Sequence, residues 1–157
     1  MTNLKKFCAV IGLISLCASS ALAQEERNEA VQAAVEDMAK EMVECAVYFD
    51  IVAAVLRSAN ERATSLKYVD AYKLAVARAD SLSPGVVKAQ YAVLAKEMTH
   101  KVVMANIPKK IEENLSNVSM LEISVLQDQY SKLCKDVMNA PGERAKYWMQ
   151  HTGAPAP

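Results

Sequence analysis

Residues 31–59 read VQAAVEDMAKEMVECAVYFDIVAAVLRSA, and their spacing decides the fold class. Apolar side chains stand at Val31, Val35, Met38, Met42, Cys45, Phe49, Val52, Leu56 and Ala59, in alternating steps of four and three. That heptad stripe predicts a long helix burying one face against partner helices. The other face carries Glu29, Glu36, Lys40, Glu44 and Arg57. Glu36 and Lys40 stand four apart in the favourable order, worth a few tenths of a kcal/mol. A helix from about Glu26 to Arg62 spans about 55 Å at 1.5 Å per residue. That exceeds a compact bundle, so it kinks near Ser58-Ala59-Asn60, overhangs, or serves a dimer.

Glycine and proline set the remaining boundaries. Neither occurs between Gln24 and Ser83; after that come Pro84-Gly85, Pro108, Pro141-Gly142 and the Gly153–Pro157 tail. Good helix formers fill the spaces, and no period-two run of aromatic and β-branched residues suggests a strand. A second helix is expected over Ser65–Ser81, with Leu66, Val69, Tyr72, Val76 and Ala79 as its stripe. Ser83-Pro84 reads as the start of a third, because serine caps and proline fits the first helical position. Its stripe is Val87, Tyr91, Leu94, Met98, Val102 and Ala105, broken at Pro108. Ile111, Leu115 and Val118 continue the apolar face through a short helical piece. Ser119 with Glu122 forms a capping box that starts the last main helix, lined by Val125, Tyr130, Leu133 and Val137, with Cys134 beside them. Pro141-Gly142-Glu143 ends it, and Arg144–Gln150 adds a further turn or two. The expected fold is all-α: a single up-down bundle of about four main helices, one broken near Pro108.

The N-terminal end reads as a secretory signal. Lys5 and Lys6 precede an uncharged apolar run from Phe7 to Ala18, and Ala21-Leu22-Ala23 supplies the small residues of a cleavage site. The run is too short for an ordinary membrane span. Leu16 before Cys17 argues against lipoprotein processing. The expected organisation is therefore a signal peptide over 1–23, a helical domain over 24–152 and a disordered tail over 153–157. Removing Lys5 and Lys6 from a chain with 18 basic and 18 acidic residues leaves a slight acidic surplus. Nothing there attracts nucleic acid, and no membrane span remains after the signal is removed. The location expected is the periplasm or the exterior of the cell.

Cys8 and Cys17 leave with the signal, so Cys45 and Cys134 remain as a pair in an oxidising compartment. A disulfide between them closes a loop of about 90 residues, worth about 4–5 kcal/mol in the chain-entropy model. The alternative is two buried thiols packed as small hydrophobes.

Chemistry-bearing patterns are sparse. His100 follows Glu97 by three residues, half of the paired di-iron motif, and the other half is missing. Met38 with Met42, and Met149 near His151, offer soft ligands for copper, but the core stripe already uses the first two. Cys45 sits on an apolar stripe and Cys134 near a helix C-terminus, both poor settings for a reactive thiolate. There is no Gly-x-Ser-x-Gly elbow and no phosphate-cradling loop, and Glu112-Glu113 reads as solvated surface. No enzyme, metal site or cofactor is expected. Tyr147-Trp148-Met149 is the main aromatic concentration besides Tyr48-Phe49, and such residues favour interfaces. Trp148 either docks back on the bundle or meets a partner. The function expected is a non-enzymatic accessory or protein-interaction module, meeting an envelope protein or itself. The alternative is a bundle holding a small ligand or metal between its helices.

Overall fold

Among the described residues, five α-helices follow the punctuation of the sequence in the computed structural model: α1 over Leu4–Ser58, α2 over Arg62–Leu82, α3 over Val86–Glu113, α4 over Ser119–Asn139 and α5 over Pro141–His151. The structure describes the backbone of residues 4–113 and 119–152, and the side chains of residue 25 and of residues 27–105 and 123–152. The chain is an all-α bundle, with no strand among the described residues. The expected tail over 153–157, and Leu115 and Val118 of the expected short helical piece, lie outside the described residues.

The first helix is buried more completely than a one-sided stripe requires. Four consecutive residues, Cys45, Ala46, Val47 and Tyr48, are all buried, and they point around most of the helix circumference. Alanine and valine fill the positions between the heptad residues, so partners can close on several sides. Accordingly α2, α3, α4 and α5 all pack on α1, which is the axis of the bundle. Val31, the first member of the stripe, lies beyond this zone and is exposed.

α1 ends rather than kinks at Ser58-Ala59-Asn60. Asn60 takes a left-handed conformation, φ 66°. The Glu61 N–H donates to the Leu56 carbonyl at 2.8 Å and the Asn60 N–H to that of Arg57 at 3.2 Å. This is the Schellman pattern, and asparagine is among the few non-glycine residues that tolerate it. The chain then reverses, and Ser65 Oγ donates to the Ala53 carbonyl of α1 at 2.8 Å. α2 returns antiparallel, reaching the Met38–Val43 region at Ala79. Its buried residues are Ser65, Ala75 and Ala79. Small side chains set a close approach, and the inward face is rotated from the expected stripe. Leu66 therefore stands 64% exposed.

Ser83 is the C-cap of α2 and not the start of α3. Its N–H closes on the Ala79 carbonyl, and Gly85, at φ +84°, makes the turn that Asp80 Oδ1 secures by accepting the Gly85 N–H at 2.9 Å. α3 starts at Val86 and continues through Pro108 to Glu113. The expected break at Pro108 is absent. Proline withholds a single backbone donor, and the 28-residue helix runs on past it to Glu113.

α4 runs over Ser119–Asn139, and the side chains of the expected capping box, Ser119 and Glu122, lie outside the described residues. Ile123, Leu126, Tyr130, Cys134 and Val137 form its buried face. Val125 is exposed, because Cys134 rather than Leu133 faces the core and the stripe turns with it. α4 runs antiparallel to α1: Tyr130 stacks on Tyr48 with ring centroids 6.2 Å apart, Cys134 meets Cys45, and Val137 joins Met38 and Met42. Pro141 both ends this helix and begins α5, for which it supplies the first helical position. The expected extra turn or two is a helix of 11 residues.

Candidate functional site

Helix α5 continues the direction of α4 along α1. Arg144 meets Glu41, and Thr152 Oγ1 donates to the Ala30 carbonyl at 3.3 Å. Arg144, Ala145, Trp148, Met149 and Thr152 are half-buried, while Glu143, Lys146, Tyr147 and Gln150 are exposed. This amphipathic spacing seats one face on the bundle. Ala145 and Trp148 pack against the cluster of Met38, Ala39, Met42, Val43 and Val137. Glu143 in the first turn and His151 in the last suit the helix dipole.

Glu41 is the one buried charged residue among the described residues, 7% exposed. Arg144 answers it with two donors. Nε donates to Oε2 at 2.6 Å and Nη2 to Oε1. A planar guanidinium matches a carboxylate in this two-pronged way, and the charge strengthens both bonds. The hydrogen bond to Glu41 raises the Arg144 pKa, and burial only partly offsets it. The guanidinium also lies 4.2 Å from the Tyr147 ring centroid and 5.6 Å from that of Trp148, within cation–π range. Tyr147 stacks on His151 at 3.9 Å between centroids, and His151 Nδ1 lies 2.7 Å from the Tyr147 carbonyl oxygen. The Trp148 indole N–H is buried and has no acceptor among the described residues.

One turn beyond Glu41 on α1, Cys45 is bonded to Cys134, with Cα atoms 5.3 Å apart. Both residues are at most 1% exposed and sit among Tyr48, Leu126 and Tyr130. Enclosure of this kind suits a structural staple rather than a redox centre. Burial also pushes the Tyr48 phenol up to about 12. The bridge holds α4 against α1 at the level where α5 must follow.

A second polar group lies where α1, α3 and α4 meet. Burial, then the neighbouring Glu41 charge, raises the Glu44 carboxyl above its usual range, while Lys101 opposes the shift. Lys101 Nζ donates to Gln129 Oε1 and to the Tyr130 hydroxyl, both at 3.4 Å. His100 is exposed on α3, and no group of three or more His, Cys, Asp or Glu side chains is placed to hold a metal among the described residues. An open cleft of about 350 Å³ runs between α1, α2 and the start of α5, over Met38, Met42, Arg78, Leu82 and Pro141. Arg78 Nη1 donates to the Met138 carbonyl at 2.7 Å and so closes the end of α4.

Of the three residues singled out in the sequence, Trp148 is docked and half-buried, Tyr147 is exposed, and Met149 lies at the seam. The structure brings them together with Arg144 and Glu41, which sequence reasoning passed over. In the sequence Glu41 stands between Lys40 and Glu44 and looks like part of the same charged face. Its partner stands 103 residues away, beyond any local pattern. No family model matches the chain, and no curated protein or solved structure matches it.

Proposed function

We propose that this chain is exported and acts as a non-enzymatic protein-interaction module of the cell envelope, in the periplasm or outside the cell. The observation that carries this reading is α5. It is the one helix with no fully buried residue, and it leaves Tyr147 exposed, with Met149 half-buried beside it and Trp148 packed inward. Aromatic and methionine side chains of this sort are what interfaces use. Export is supported by the charged and apolar leader and by the Cys45–Cys134 bridge, a bond that persists in oxidising compartments. Among the described residues no helix is long and apolar enough to cross a membrane.

Two measurements test the reading. The intact mass of the protein recovered from its envelope should match a chain starting at Gln24 with one disulfide; a product retaining Met1 refutes export by this leader. A photo-crosslinking residue at Tyr147 should trap an envelope protein in living cells, whereas the same residue at Lys132, on α4, should not. Equal capture from both positions refutes α5 as the contact. The cleft over Met38 and Met42 favours the second reading, a small ligand held between helices. Native mass spectrometry of the recovered protein would show that ligand as added mass.

A further inference from the structure

We infer that the groove beneath α5 is itself the partner-binding surface, and that the partner is an amphipathic helix with a basic residue one turn ahead of a large aromatic one. This rests on the interaction reading and names the chemistry of the partner. The seat already fits a helix, since α5 occupies it with Arg144 and Trp148, four residues apart. It also demands a cation. Glu41 is buried and finds its compensation in Arg144, so any helix replacing α5 must bring a positive group to the same place.

Two features mark α5 as a replaceable occupant. Its Trp148 indole N–H is buried without an acceptor among the described residues, an imperfection that a better-fitting helix removes. Its N-cap is Ala140, which makes no side-chain capping bond, and it has only 11 residues, too few for a stable helix by itself in water. Once displaced, α5 unravels and its seat is left to the newcomer. The groove floor includes Met38 and Met42, whose flexible side chains adapt to different occupants.

The test uses a fluorescent peptide with the sequence of residues 140–152, APGERAKYWMQHT, added to the full mature protein and followed by anisotropy. The Arg144→Glu protein repels its own α5 from Glu41, so it should bind the peptide at least about tenfold more tightly than the wild type does. Trp148→Ala loosens α5 without adding charge, and should act in the same direction. Replacing the peptide's arginine by alanine should weaken binding on the order of ten- to a hundredfold. Adding Glu41→Gln to either protein variant should do the same. Absence of binding to both loosened variants, with helical circular dichroism and the disulfide intact, overturns the proposal. So does binding that ignores Glu41→Gln. If the wild type is a dimer by light scattering and Glu41→Gln makes it a monomer, the occupant is a second copy's α5, and the separate partner helix is refuted. If the peptide fails while crosslinks from position 147 persist, the groove falls and the interaction reading stands.

Discussion

Removing the Arg144 side chain should destabilise the protein by about 2–4 kcal/mol. The reasoning starts from burial. The Glu41 side chain is 10% exposed and that of Arg144 23%, so truncating the arginine leaves a nearly enclosed carboxylate with no counter-charge. Breaking a fully buried pair in this way costs about 3–5 kcal/mol, and the partial exposure of the guanidinium lowers the figure. Loss of its contacts with the Tyr147 and Trp148 rings adds back about 0.5–1 kcal/mol. Glu41→Gln should cost less, about 1–2 kcal/mol, because an amide oxygen still accepts one hydrogen bond.

The decisive variant is the double one. With Glu41→Leu and Arg144→Leu together, neither charge is orphaned, and the loss should be smaller than for Arg144→Leu alone. A cycle built from the leucine singles and the double should give a coupling of about 1.5–3 kcal/mol. Urea unfolding followed by the emission of Trp148, the only tryptophan, and by far-UV circular dichroism would read these values. In Arg144→Ala the fluorescence transition should precede the helical one, because α5 lifts before the disulfide-held core opens. Raising the salt to 0.5 M should change the coupling little, since enclosed pairs are weakly screened. An Arg144→Ala protein within about 0.5 kcal/mol of wild type, the range of ordinary surface substitutions, or a coupling near zero, would refute the claim that this pair holds α5 in place.

Trp148→Ala should lower stability by about 2–3 kcal/mol, below the usual cost of a fully buried tryptophan, while Trp148→Phe should be near neutral because it deletes a donor that has no acceptor among the described residues; an alanine variant as stable as wild type in urea would contradict docking. Replacing Cys45 and Cys134 together by alanine should cost about 4–5 kcal/mol on the chain-entropy scale, seen as a drop in the denaturation midpoint; an unchanged midpoint would mean the bridge adds nothing to the helical packing. Glu44 carries a raised carboxyl pKa from burial and then from Glu41, so its folded-state pKa lies above the unfolded one. Its ionisation therefore opposes folding at neutral pH, and that penalty fades as pH falls to the unfolded value near 4. Glu44→Gln should raise the Tm at pH 7, with the gain shrinking toward pH 4; a Tm unchanged or lowered at pH 7 would show that Lys101 outweighs burial.

The heptad stripe was legible because leucine-, valine- and methionine-type spacing marks a buried face whatever packs against it. The number of partners around α1 was not, because alanine at Ala39, Ala46 and Ala53 is compatible with exposure and burial alike. The same ambiguity misdirected α2. There the apolar Leu66 is exposed and the polar Ser65 is buried, since close approach favours a small residue whose hydroxyl can reach the Ala53 carbonyl. The disulfide was readable by elimination once residues 1–23 were read as a signal. Glu41 and Arg144 were not, for their pairing depends on how α5 is offset along α1, which no local pattern encodes.

That offset leads to a last prediction, on Pro141. Cys134 lies against Cys45, and α4 runs antiparallel to α1. Were α4 to continue straight, residue 144, ten positions on, would stand opposite Val35, ten positions back. It meets Glu41 instead, and Thr152 meets Ala30 where a straight helix would put it opposite residue 27, an offset of about three to six residues, or about 5–9 Å of helix axis. The break at Ala140, with φ −132° and ψ 57°, takes up this length and draws α5 back to its seat. Pro141 maintains the break, because proline disfavours a helical residue before it and cannot donate back to α4. Alanine at this position restores the donor and is the better helix former, so propensity alone predicts a more stable protein. The register argument predicts the opposite. In Pro141→Ala, α4 can extend through residue 144, carrying Arg144 past Glu41 and Trp148 off its cluster. Stability should fall by about 1–2 kcal/mol, a fraction of the cost of losing the buried pair outright. Helical circular dichroism should hold or rise, while Trp148 emission shifts to the red as the indole meets water. A Pro141→Ala protein that is more stable, with Trp148 emission unchanged, would show that the Glu41–Arg144 contact and not the proline sets the position of α5.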